Sequence, residues 1–100
     1  MSHYDAIVLG TGGVGSAAAF HLARRGARVL GLDRFLGGHD RGSSHGQTRI
    51  IRQAYFEHAD YVPLLRRAYE LWAELERLAN EKLFHQVGLL QIGPAEGYVI

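Results

Sequence analysis

The sequence contains no cysteine, which excludes a disulfide framework, a thiolate zinc site and a cysteine nucleophile within its 100 residues. It also lacks a long hydrophobic run, because no stretch of about 18 apolar residues is present to span a membrane. The first five residues lack the cationic region that opens a secretory signal. We therefore expect a cytoplasmic location.

The sequence also has no large excess of positive or negative charge. Eleven Lys and Arg residues face ten Asp and Glu residues, and the formal net charge of +1 is too balanced for a nucleic-acid-binding surface. We expect a small-molecule partner and neither nucleic acid nor membrane. The six histidines show no metal-ligand spacing such as H-E-x-x-H, so we expect no metal site. His3, His39 and His58 are expected to be solvated loop residues.

The first third of the chain has the pattern of a β-α-β unit. Residues 6–9 form a continuous apolar run before Gly10, which is typical of a strand buried on both faces of a parallel sheet. Residues 14–25 place apolar side chains on one helical face, and Gly26 is a suitable C-terminal stop. Residues 28–33 form a second apolar run. The predicted fold class is therefore α/β, with a Rossmann-like start.

The rest of the chain contains one long loop and one strong helix signal. Residues 34–48 are polar and rich in glycine and serine, and a loop of this length in a compact domain usually performs a task. Residues 61–78 repeat apolar side chains at helical spacing, and Asp60 is placed to cap this helix. Residues 84–87 and 89–93 resemble two short strands broken at Gly88.

A dinucleotide fingerprint, G-x-G-x-x-G, lies between the first strand and the first helix. Its glycines permit a tight turn, a close approach of the backbone to a pyrophosphate, and close packing of the helix on the sheet. The ligand's negative charge would lie at the positive end of the helix dipole. The residues predicted to bind this cofactor are Gly10, Thr11, Gly12, Gly13, Val14 and Gly15.

Asp33 supplies the acid that the fingerprint requires about 20 residues further on, at the end of the second strand. Its carboxylate could accept both hydroxyls of an adenosine ribose and would repel a 2′-phosphate, which disfavours NADP. The adjacent Arg34, also a candidate for cofactor binding, keeps NADP from being excluded. FAD and NAD share this adenosine diphosphate half, so the fingerprint alone does not separate them.

The second motif is S-S-H-G-Q-T-R-I-I-R at residues 43–52, which concentrates hydroxyl, imidazole, amide and guanidinium groups. Together with Y-V-P-L at 61–64 and E-L-W at 70–72, it resembles the N-terminus of the monomeric sarcosine oxidase and N-methyltryptophan oxidase family. These enzymes are FAD-dependent, belong to the D-amino-acid-oxidase-like group and are several-fold longer. The resemblance covers essentially the whole chain and implies FAD as the cofactor.

The resemblance also implies roles for particular residues. His45 and Arg49 would lie near the flavin ring, and Arg52 would bind the substrate carboxylate. If residues 48–52 are extended, the side chains of Arg49 and Arg52 leave opposite faces, so one could meet cofactor and the other substrate. The alternative for each arginine is a surface or structural ion pair. The residues implied to help hold FAD are Ser43, Ser44 and Thr48.

The function that the resemblance implies is oxidation of the C–N bond of a secondary amino acid such as sarcosine, with oxygen as acceptor and hydrogen peroxide as product. An NAD-dependent dehydrogenase and a non-catalytic nucleotide-binding module are the alternatives. We expect residues 1–100 to be the N-terminal part of the FAD-binding domain of a two-domain flavoprotein truncated at residue 100, with 84–100 starting the substrate domain. The fragment alone is expected to be inactive.

Overall fold

The computed structural model describes residues 2–55 and 57–97. The chain divides into two compact units, Met1–Arg49 and Ile50–Ile100. In chain order the elements are β1 (Ala6–Leu9), α1 (Gly13–Arg24), β2 (Val29–Leu32) and α2 (Tyr61–Ala79).

The first unit is the predicted β-α-β start. β1 and β2 pair in parallel, with Ala6 opposite Val29 and Leu9 opposite Leu32, and α1 packs against both strands. Because parallel neighbours end at the same edge of a sheet, the loop after β1 and the residue after β2 lie side by side. The sheet therefore brings the glycine fingerprint next to Asp33.

The element boundaries lie close to those predicted. The helix expected at residues 14–25 spans Gly13–Arg24, and Gly26 follows it with a φ of +90°, the left-handed conformation of a C-terminal glycine. The strand expected at 28–33 is confined to Val29–Leu32. Residues 34–48 form neither helix nor strand, as predicted.

β1 is covered on one face, whereas its apolar run predicts burial on both. Ala6 and Val8 are half-buried, but Ile7 and Leu9 on the other face are 59% and 81% exposed. The difference arises because one helix, α1, packs on this two-stranded sheet. Within residues 2–55 and 57–97, no side chain is fully buried.

The second unit is built on α2, whose half-buried side chains include Val62, Leu65, Tyr69 and Trp72 at helical spacing. Asp60 precedes the helix as predicted, but its side chain makes no capping hydrogen bond. The backbone of Asp60 is helical (φ −65°, ψ −18°), which is not the extended conformation of a capping residue. The prediction of an Asp60 cap is therefore wrong.

The prediction of strands at 84–87 and 89–93 is also wrong, because the structure places both segments outside any strand. The backbone N–H of Phe84 donates instead to the Glu76 carboxylate at 2.6 Å, which removes one donor from any sheet ladder. Gly88 does interrupt the segment, with a φ of +81°. Residues 98–100, the end of the predicted start of the substrate domain, lie outside the described residues. Among the described residues, no helix has the length and apolar character to cross a membrane.

Candidate functional site: a carboxylate beside a glycine loop

The glycine loop joins β1 to α1 through close backbone contacts. Gly10 has a φ of +87°, which favours glycine, and its N–H donates to the Leu32 carbonyl at 2.7 Å. A Cβ added to Gly15 would collide with the carbonyl oxygen of Gly10. The start of α1 therefore lies directly against the loop, as the fingerprint predicts.

Asp33 accepts several hydrogen bonds within the first unit. Its Oδ2 accepts the backbone N–H of Thr11 at 2.8 Å and the Thr11 hydroxyl at 3.2 Å. Its Oδ1 accepts the backbone N–H of Phe35 at 3.1 Å and lies 3.2 Å from Nε2 of His39. The carboxylate thus connects the end of β2 to the glycine loop and to the polar loop.

These contacts keep Asp33 ionised. The backbone hydrogen bond from Thr11, followed by that from Phe35, lowers the pKa of Asp33 from 3.8 to about 2. The hydroxyl of Thr11 and the His39 ring act in the same direction, and desolvation opposes them. The group is therefore a carboxylate at neutral pH, able to accept hydroxyl hydrogens and to repel a phosphate.

The ring nitrogens of His39 have distinct partners. Nδ1 accepts the backbone N–H of Arg41 at 3.1 Å, so the proton is assigned to Nε2, which donates to Asp33. The side chain is 22% exposed, and its ring contacts Phe35 edge to face. The expectation of a solvated loop residue is therefore wrong for His39. It holds for His58, whose side chain is 64% exposed.

No sequence pattern indicates the role of His39. It lies six positions after Asp33 in an irregular loop, where neither helical nor strand periodicity relates the two side chains. The one available signal is chemical: the polar loop that contains this imidazole begins directly after the Asp33 carboxylate.

Ser44, a predicted cofactor residue in the polar loop of residues 34–48, also contacts the glycine loop. Its Oγ accepts the backbone N–H of Gly13 at 3.1 Å, across 31 positions of sequence. A Cβ on Gly13 would lie 2.7 Å from that oxygen, so glycine is needed for this approach. The contact holds part of the polar loop against the first turn of α1.

The other candidates between residues 34 and 49 are exposed, as Ser44 is. Arg34 places its guanidinium 5.8 Å from the centre of the Phe35 ring, and Nδ1 of His45 lies within hydrogen-bonding distance of the Gly42 carbonyl oxygen. The remaining exposed candidates are Ser43, Thr48 and Arg49.

Arg52 belongs to the second unit, whereas Arg49 belongs to the first. One guanidinium nitrogen of Arg52 donates to Glu57 at 2.7 Å and another donates to the Ala54 carbonyl at 3.1 Å. The group also lies 4.5 Å from the centre of the Tyr55 ring. Residues 48–52 are not part of a strand, and the alternation of the Arg49 and Arg52 side chains stays a prediction.

The backbone donors and the carboxylate of the first unit suit an adenosine diphosphate group. The first backbone bond of the α1 pattern runs from the Ser16 N–H to the Gly12 carbonyl at 2.9 Å, so the N–H groups of Val14 and Gly15 precede the helical ladder. Such N–H groups, at the positive end of the helix dipole, suit a diphosphate. The Asp33 carboxylate suits the ribose hydroxyls.

Comparison with known proteins gives a consistent result. Residues 5–98 match the family DAO, described as FAD dependent oxidoreductase. The chain is 53% identical over 97 residues to a monomeric sarcosine oxidase of Streptomyces avermitilis, covering 97% of this chain and 25% of the relative. It is 49% identical over 96 residues to a monomeric sarcosine oxidase of Bacillus sp. (strain NS-129), covering 96% and 25%.

An N-methyl-L-tryptophan oxidase of Yersinia pestis (strain Pestoides F) is 47% identical over 91 residues, covering 91% of this chain and 24% of the relative. The chain therefore spans about a quarter of the length of the curated relatives it matches.

Proposed function

Because this chain belongs to the DAO family of FAD-dependent oxidoreductases, we propose that it holds the adenosine diphosphate end of FAD in a flavoprotein amine oxidase. Membership confirms the resemblance and the cofactor expected from the sequence, and the β-α-β start confirms the predicted fold class. Because the family is FAD-dependent, NAD is no longer an alternative cofactor.

The observation that carries the proposal is the position of the Asp33 carboxylate. Backbone N–H groups of Thr11 and Phe35 hold it at the carboxyl edge of the sheet, beside the start of α1. A ribose whose hydroxyls meet this carboxylate would direct its diphosphate towards the glycine loop. In this proposal Ser44, through its contact with Gly13, keeps the polar loop close to the same end of the helix.

The proposed reaction is oxidation of the C–N bond of a secondary N-methyl amino acid. The names of the relatives support this substrate class, since they are a sarcosine oxidase and an N-methyl-L-tryptophan oxidase. When bound, FAD would supply the two-electron chemistry that couples oxidation of the amine to reduction of oxygen. For sarcosine, the overall balance is sarcosine, oxygen and water giving glycine, formaldehyde and hydrogen peroxide.

We assign substrate binding to Arg52. Its guanidinium donates to the carboxylate of Glu57 at 2.7 Å, and a substrate carboxylate is a partner of the same chemical type. A substrate carboxylate would replace Glu57 there, and the amine carbon would be held for oxidation. His45 and Arg49 are proposed to lie near the flavin ring, and the cofactor is proposed to be held in part by Ser43 and Thr48.

The domain assignment belongs to the same proposal. Residues 1–100 form the first part of an FAD-binding domain, and residues 84–100 begin the substrate domain. The cytoplasmic location remains a prediction from the sequence.

The test uses the complete protein, expressed from its natural gene and purified. We expect visible flavin absorbance, and we expect sarcosine or N-methyl-L-tryptophan, but not glycine, to cause oxygen uptake. Peroxide and aldehyde should form in equal amounts. Absence of flavin would overturn the whole proposal, whereas flavin without amine-dependent oxygen uptake would overturn only the proposed reaction.

A further inference from the structure

The Asp33 carboxylate has a complete set of hydrogen-bond donors. A carboxylate offers about four lone-pair sites, two on each oxygen. Oδ2 accepts a backbone N–H and a hydroxyl, both from Thr11. Oδ1 accepts a backbone N–H from Phe35 and the Nε2–H of His39. Each oxygen therefore has one backbone donor and one side-chain donor.

A ribose diol needs one site on each oxygen, and the side-chain donors occupy those two sites. The backbone donors are part of the glycine loop and of the turn after β2, so they cannot leave without unfolding these segments. The Thr11 hydroxyl can rotate its hydrogen and accept a bond from the ribose instead. A Cβ on Gly31 would lie 2.9 Å from the Thr11 methyl group, so this methyl group lies close to the backbone of Gly31.

His39 lacks this freedom to change roles. Its Nδ1 accepts the Arg41 N–H at 3.1 Å, which leaves Nε2 protonated and able only to donate. Two donors cannot share one lone-pair site, so a ribose hydroxyl and the His39 ring exclude each other at Oδ1.

We propose that His39 is an internal competitor for the nucleotide: its imidazole occupies the site on Asp33 Oδ1 that one ribose hydroxyl requires, and it must move away when the adenosine ribose binds. This inference rests on the proposed function, because it concerns the same dinucleotide site. His39 thereby sets the affinity for the adenosine end of the cofactor without contributing a bond to it.

Two substitutions separate the roles of the two ring nitrogens of His39. In His39→Asn, the amide oxygen can replace Nδ1 as acceptor for Arg41, but no donor reaches Asp33. In His39→Gln, the amide N–H can replace the Nε2 donor. Calorimetric titration of the complete protein, prepared without flavin, should show ADP binding about three- to tenfold more tightly to His39→Asn than to the parent. His39→Gln should retain the parental affinity.

Deoxy analogues of ADP identify the competing hydroxyl. For one of the two analogues, 2′-deoxy-ADP or 3′-deoxy-ADP, the gain in affinity from His39→Asn should disappear. That analogue lacks the hydroxyl that would bind at Oδ1 of Asp33. In the parent protein, saturating ADP should also shift the ¹⁵N resonances of the His39 ring, a readout that needs no variant to fold.

The outcomes distinguish this inference from the proposed function. Equal or weaker ADP binding by His39→Asn, or His39 resonances unmoved by ADP, would overturn the role of His39 while leaving the dinucleotide site intact. Failure of ADP to bind the parent would overturn the proposed site and the role of His39 together.

Discussion

Asp33 accepts the backbone N–H of Thr11 at 2.8 Å, across 22 positions of sequence. The bond joins the residue that follows β2 to the glycine loop that follows β1. The bond therefore helps to fix the distance between the carboxylate that we propose to bind the ribose and the helix end that we propose to bind the diphosphate.

Replacing Asp33 by Asn should weaken ADP binding to the complete protein by about tenfold to a hundredfold. The reason is that an amide loses the charge-assisted acceptor and presents its own hydrogens to Thr11 or Phe35. Titration calorimetry measures the change. Asp40→Asn is the matched control, since the Asp40 side chain is 82% exposed. Equal affinities for the two variants would contradict the assignment of Asp33.

The low pKa of Asp33 predicts how its contribution to stability depends on pH. Its folded pKa of about 2 lies below its ordinary value of 3.8, so the stabilisation is fully present above about pH 4. It is lost as the pH falls through the folded value. The difference in Tm between the parent and Asp33→Asn should therefore be present at pH 5 and should shrink as the pH falls below about 4. A Tm difference that grows as the pH falls would contradict the lowered pKa of Asp33.

Gly15→Ala should destabilise the complete protein by about 1–3 kcal/mol, the usual range for overpacking. The added Cβ would collide with the Gly10 carbonyl oxygen, so α1 has to move away from the loop. Gly42→Ala is the control, since no heavy atom lies within 4 Å of its added Cβ. Thermal unfolding compares the two, and equal stability would show that the start of α1 tolerates a side chain.

Glu76 anchors the segment after α2. Its Oε1 accepts the backbone N–H groups of Leu83 at 2.9 Å and Phe84 at 2.6 Å, and Lys82 lies near the same carboxylate. The Phe84 bond is the main reason that the pKa of Glu76 lies below its ordinary value. This stabilisation is therefore lost as the pH falls through the lowered pKa.

Glu76→Ala should consequently speed hydrogen exchange at the amides of Leu83 and Phe84 by about tenfold. Glu76→Gln should have an intermediate effect, because an amide oxygen can still accept both bonds. Glu81→Gln, at an exposed neighbour, serves as the control. Unchanged exchange in Glu76→Ala would mean that another group protects these amides.

The fold was predictable where the structure depends on interactions between residues that are close in sequence. The apolar runs, the helical spacing and Gly26 each act over a few residues, and the β-α-β unit follows from them. The prediction of strands after α2 failed because the outcome depended on a partner outside the segment. The Phe84 N–H could have joined a strand, but the Glu76 carboxylate accepts it, and no periodicity near Phe84 indicates that acceptor.

The candidate site shows the same division. The fingerprint and Asp33 were predictable because their spacing is fixed by one strand, one turn and one helix. Ser44 came from a resemblance, and its contact with Gly13 depends on the path of an irregular loop. His39 was misassigned for the same reason, since the folding of that loop determines whether its ring contacts solvent or Asp33.

The last prediction concerns Arg52, proposed to bind the substrate carboxylate. Lysine is a point charge and cannot form two parallel N–H···O bonds, so Arg52→Lys should raise KM. Arg52→Met should cost about 2–5 kcal/mol in kcat/KM, the scale for removing one partner of a desolvated charge pair. Steady-state kinetics of the complete protein with sarcosine measure both effects.

The control separates substrate binding from stability, because Arg52 also contacts Glu57 and Tyr55. Arg66→Met, on an exposed face of α2, should leave kcat/KM unchanged. If Arg52 binds substrate, Arg52→Met should keep the flavin spectrum of the parent and lose affinity for a carboxylate-bearing inhibitor. A merely structural role would change the spectrum or Tm while that inhibitor still bound with the parental affinity, and the carboxylate site would then lie elsewhere in the protein.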